Sequence, residues 1–172
     1  MAAVEIVVRD LRARAQVPAC RRLLIRLARM TGRKGAGVTL LLASDAAVRR
    51  LNSRFRGVDA VTDVLSFRAE GDLEPSRPHL GEIAISVPQA ARQAKRAGWS
   101  LKSEMALLLT HGFLHLLGHD HETDGGTMRR LEEDLLSRAA GVTLARRGLP
   151  WGEDRPPARR GRRTGARRST HD

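Results

Sequence analysis

Apolar positions along this chain recur with two different periods, and the changes of period mark its elements. "VEIVV" at 4–8 is a short β-branched run and predicts a strand. In "VPACRRLLIRLARMTG", Leu23, Leu24, Leu27 and Met30 form one helical stripe, Pro18 suits the first turn and Gly32 can end it. "GVTLLLA" at 37–43 reads as a second strand, and Ser44 as the N-cap of a helix over 45–54. "DVLSFR" at 63–68 and "LGEIAISV" at 80–87 read as strands three and four. The polar loop 69–79 between them lets the two pair as an antiparallel hairpin. Pro88 opens a short helix, Gly98 interrupts it, and Ser100 caps a longer helix that runs to Leu117. Met128, Leu131, Leu135 and Ala139 stand at helical spacing in a last helix over about 126–139.

The predicted order is β-α-β-α-β-β-α-α-α. It implies a single α+β domain over 1–148, with one mixed four-stranded sheet packed against about five helices. Beyond it, residues 149–172 are rich in Pro, Gly and Arg with almost no aliphatic side chain, and read as a disordered Arg-rich tail.

Composition sharpens this picture at three points. Hydrophobic content of 41% with only 3% aromatics means a core of Leu, Val, Ile and Ala. A single cysteine excludes an internal disulfide, which suits a reducing cytoplasm, and no apolar run approaches the length that spans a bilayer. Net charge is +12, which favours an anionic partner, nucleic acid first. Half of that charge lies in Arg155–Asp172, with seven Arg against one Asp, so the folded part is only moderately basic.

"HGFLHLLGHDHE" at 111–122 carries the chemistry. His111 and His115 are four apart on a predicted helix, so their imidazoles share one face. A helix continued to His119 would place that residue roughly 12 Å along the axis from His111, too far to share an ion. Gly118 can end the helix in a left-handed turn and let His121 swing back. The expected metal ligands are therefore His111, His115 and His121, with His119 outside the ligand set and Asp120 available to orient an imidazole. Three nitrogen ligands leave one position open, as in catalytic sites. Imidazole suits zinc, although nickel and other divalent ions accept it too. Zinc peptidases with this spacing have a glutamate after the first histidine as general base; here that residue is Gly112, which removes the proton acceptor of that mechanism. Hydrolysis of an RNA phosphodiester fits better, because the metal polarises a phosphoryl oxygen or activates water, and a 2′-hydroxyl can serve as nucleophile.

A second constellation is "LNSRFRGVDAVTDVLSF" at 51–67. Arg56 suits stabilisation of added charge on a phosphoryl group, although residue chemistry alone favours a solvated arginine beside turn residues. Asp63 and Ser66 read as structural. Glu104 stands two helical turns before His111 and reads either as a cleft residue or as a first-turn acid favoured by the helix dipole.

With both stretches and "LGEIAIS" in their order, the chain resembles the YbeY family of endoribonucleases, bacterial rRNA maturation factors, over about residues 4–145. The resemblance implies one zinc on His111, His115 and His121, with Arg56 and His111 carrying catalysis. It further implies single-strand-specific RNA cleavage, maturation of the 16S rRNA 3′ end, late ribosome quality control and a cytoplasmic location. The partners it implies are the rRNA precursor, the ribosome and small-subunit proteins, with neither membrane nor DNA. Val61, Phe55 and Glu82 depart from the family's usual Pro, Tyr and Asp. A ribosome-assembly RNA-binding protein with a mainly structural zinc is the alternative of a different class. A peptidase-like metallohydrolase is a third, disfavoured by Gly112.

Overall fold

Alternation along the strands sorts their side chains to two faces of one sheet, and helices cover both. The computed structural model describes residues 4–70, 78–120 and 125–147. In chain order the elements are β1 (Val4–Val8), α1 (Val17–Met30), β2 (Gly37–Ala43), α2 (Asp45–Arg56), β3 (Val64–Arg68), β4 (His79–Ser86), α3 (Val87–Arg96), α4 (Leu101–Leu116) and α5 (Thr127–Ala140). The sheet order is β1-β2-β4-β3. β1 and β4 run parallel to β2, and β3 pairs antiparallel with β4 in the expected hairpin, Ser66 opposite Ile83. This is the mixed α+β architecture that the periodicity implies.

Val38, Leu40, Leu42, Ile83 and Ile85 point to the larger core, where α1, α3, α4 and α5 pack. Ala43, Leu65 and Ala84 point the other way, under Val48 of α2. On β3 the same alternation turns Leu65 and Phe67 to α2, and Val64 to the larger core. α4 lies at the centre of that core: Leu107, Leu108, Leu109, Phe113 and Leu114 are all fully buried. A helix apolar on nearly every side belongs inside, not on a surface. Ser100 caps it by accepting from Ser103 N at 3.1 Å.

Element ends fall within two residues of expectation. Two short 3-10 turns were not anticipated. The first, Leu11–Gln16, is started by Asp10, whose carboxylate accepts from Arg12 N at 3.1 Å. The second, Leu144–Arg146, brings Arg147 under the start of α4. No helix among the described residues is long and apolar enough to cross a membrane. The Arg-rich segment 149–172 and the boundary expected at 148 lie outside the described residues.

Candidate metal centre

Helical spacing puts His111 and His115 one turn apart near the end of α4. Their Nε2 atoms stand 3.0 Å apart. The rings meet nearly edge to face, with centroids 4.6 Å apart and planes at 79°. Two nitrogens this close hold either one shared proton or one shared cation. Ligands about 2.0–2.1 Å from a tetrahedral ion stand roughly 3.3 Å from each other, so the pair suits such an ion with little adjustment. His111 is buried and His115 half-buried, so the pair opens towards solvent on the His115 side.

Glu132 of α5 fixes the tautomer. Its Oε1 lies 2.8 Å from His111 Nδ1, with both side chains buried. A carboxylate accepts, so Nδ1 donates and the Nε2 lone pair faces His115. The carboxylate behind His111 comes from a different helix, α5. Glu132 was missed because its partner is 21 residues away in sequence. A signal was present: Glu132 interrupts the buried stripe of Met128, Leu135, Leu136 and Ala139, where an acid must find a partner.

Gly118 has φ +92°, the left-handed turn expected at the helix end. His119 borders a hollow between α1 and α5 beside Met30 and Leu135. His121, the expected third ligand, lies outside the described residues. Among the described residues no three His, Cys, Asp or Glu side chains gather to hold a metal. Cys20 supplies no ligand here: it is buried in the core, and burial pushes its thiol up to about 11.

Packing explains the missing glutamate at Gly112. A Cβ there would stand 2.9 Å from Ser66 Oγ and 3.0 Å from Ile83 Cγ2. The helix lies so close to β3 and β4 at this point that a side chain has no room. Ser66 also links the histidines to Arg56, because the Arg56 guanidinium reaches the Ser66 carbonyl at 3.5 Å. Arg56 ends α2, is exposed, and leaves most of its donors to solvent. Beside it, Phe55 is 56% exposed and meets Phe67 edge-on at 5.2 Å.

The other acids of these two stretches lie elsewhere. Glu104 is not a cleft residue: it is fully buried, accepts from Trp99 Nε1 at 2.6 Å and pairs with Arg147 at 3.4 Å. Asp63 is structural, as expected, and accepts from Gln93 Nε2 of α3 at 3.1 Å. Asp59 is held by Arg49 at 2.7 Å, and that hydrogen-bonded guanidinium keeps its carboxyl below the usual range.

The fold and site together define an α+β protein whose central helix offers a histidine pair backed by a buried carboxylate, beside an exposed arginine. A family model described as Endoribonuclease YbeY matches residues 10–140, and the chain belongs to that family. An endoribonuclease YbeY from Moorella thermoacetica is 50% identical over 121 residues, 64% of this chain and 76% of that one. One from Myxococcus xanthus is 52% identical over 107 residues, 59% of this chain and 36% of that longer one. The solution structure of TM1509 from Thermotoga maritima shares the fold, with a TM-score of 0.59 at 22% identity over 93% of this chain and all of that one.

Proposed function

We propose that this protein is a metal-dependent endoribonuclease that cleaves single-stranded RNA. In this reading it matures the 3′ end of 16S rRNA and acts on ribosomes late in their assembly, in the cytoplasm. The observation that carries the reading is the His111–His115 approach at 3.0 Å with Glu132 behind it, in a chain of the endoribonuclease YbeY family. His111, His115 and His121 would hold one zinc ion. When bound, it supplies Lewis acidity toward a phosphoryl oxygen.

The chain's own residues do the rest. Glu132 keeps the proton of His111 on Nδ1 and fixes the ring's direction. Arg56 presents fixed positive charge to the phosphate at the edge of β3 and favours the form in which phosphoryl charge grows. Gly112 leaves no carboxylate beside His111, so the proton acceptor of zinc peptidases has no counterpart there. The 2′-hydroxyl of RNA can then replace water as nucleophile: the O2′–P bond forms as the P–O5′ bond breaks, its proton passes to solvent, and the departing 5′-oxygen takes one up.

The test is cleavage of a labelled single-stranded RNA and its duplex by purified full-length chain. Chelation and His111→Ala are each expected to abolish cleavage, and Arg56→Ala to reduce it by about 10²–10³-fold. Equal residual cleavage in every sample would assign the activity to a contaminant. RNA bound tightly but never cut would leave a binding protein.

A further inference from the structure

Hollows on the surface of the described residues differ in charge. The one along α2 contains Asp45 and Asp59 among its arginines. The one between α1 and α5 contains Asp134, which pairs with Arg138 at 3.0 Å. The third, about 290 Å³, is bordered by Arg33, Arg68 and His79 over Leu116 and Leu117, with no acid among its described lining residues. Arg12, Arg49, Arg92, Arg129, Arg138 and Arg147 each have a carboxylate partner. Arg33 and Arg68 have none among the described residues, as is true of other arginines, but these two meet at one hollow that no described acid borders. Two guanidiniums held at one hollow with no counter-charge among the described residues set up a local positive potential that an anion relieves.

The hollow adjoins the histidine centre. Ser66 and Arg68 stand two apart on β3 and so share its α4 face. Ser66 lies against Gly112, the residue after His111, and Arg68 lies over Gly118, three residues after His115. A Cβ at Gly118 would be 2.8 Å from Arg68 Nη1, so a side chain there would push the guanidinium aside. Part of the Arg68 charge answers the carbonyl end of α4. Arg33 stands at the carbonyl end of α1 in the same way, its backbone N–H donating to Ala28 O at 2.7 Å.

We infer that Arg33, Arg68 and His79 form a phosphate subsite, which holds a backbone phosphodiester of the RNA strand next to the one at the histidine centre. The inference rests on the proposed RNA substrate. Guanidiniums donate in a fork that matches phosphate oxygens, and His79 adds a ring donor. No base edge is read, so the subsite strengthens binding without sequence preference.

The experiment measures affinity of full-length chain for a fluorescent single-stranded RNA across salt concentrations, together with KM and kcat for its cleavage. Arg33→Ala/Arg68→Ala is expected to weaken binding about tenfold and to flatten the slope of log affinity against log salt by about 0.7, one phosphate contact's worth for a single strand. KM should rise by a similar factor with kcat unchanged. Arg33→Lys/Arg68→Lys, which keeps the charge, should retain the slope. Arg9→Ala/Arg14→Ala, an equal charge loss at exposed positions by the far edge strand β1, should change neither quantity. An unchanged slope in the Arg33/Arg68 alanine variant, or an equal fall in the Arg9/Arg14 control, overturns the subsite alone. A wild-type chain that neither binds nor cuts RNA overturns the proposed function and the subsite with it.

Discussion

At the residue scale the centre depends on which nitrogen of His111 carries its proton. Glu132 settles that from 2.8 Å away. Glu132→Gln keeps the side chain's size, but its amide is a weaker acceptor and offers a competing donor. Loss of such a partner typically costs 10–100-fold in metal affinity. Competition against a chelator of known affinity should show a fall of that size, with helix content unchanged. Equal affinity would mean that the carboxylate serves only to fill the core. The histidine pair was legible in the sequence because four-residue spacing on a helix dictates proximity. Glu132 was not, since nothing in local spacing says which buried acid meets which ring across two helices. Glu104 shows the same limit from the other side. Its position two turns before His111 suggested a shared cleft, yet it turns to Trp99 and Arg147 at the opposite end of α4.

At the element scale the question is how α4 sits on the sheet. Ser66 and Ile83 approach Gly112 so closely that the helix rests on its backbone there. Gly112→Ala therefore sets two effects against each other. Alanine gains up to about 1 kcal/mol of helix propensity. Overpacking a tight contact costs about 1–3 kcal/mol. The expected result is net destabilisation, read as a lower urea midpoint with an unchanged m-value. A higher midpoint would mean that α4 can lift off β3 without loss. The strands and long helices were legible because each keeps its period over enough residues to bury one face. The 3-10 turns at Leu11–Gln16 and Leu144–Arg146 were not, because runs this short show no period.

At the scale of the whole molecule, the described chain closes on itself through a buried ion pair. Arg147 comes from its last described turn, and Glu104 from the first turn of the central helix. Arg147 also lies over the Trp99 ring at 5.9 Å. Removing one partner of such a pair leaves an uncompensated buried charge, at a cost of about 3–5 kcal/mol. Arg147→Ala should lower the thermal midpoint accordingly, and Glu104→Gln/Arg147→Met should recover much of the loss. A single variant as stable as wild type would show that water reaches Glu104. The net charge of +12 was legible, but its allocation was not. Some described arginines pair with carboxylates, and the meeting of Arg33 and Arg68 at one hollow without a described acid appears only once β3 is laid along α4.

The proposed function requires one divalent ion shared by His111, His115 and His121. Metal content per chain, measured on native protein and on His111→Ala, His115→Ala and His121→Ala, tests it most directly. One ion per wild-type chain and a loss of that ion in each variant is the predicted result. Full retention of metal in the His121 variant, or a wild-type chain that cleaves RNA while holding none, would contradict it.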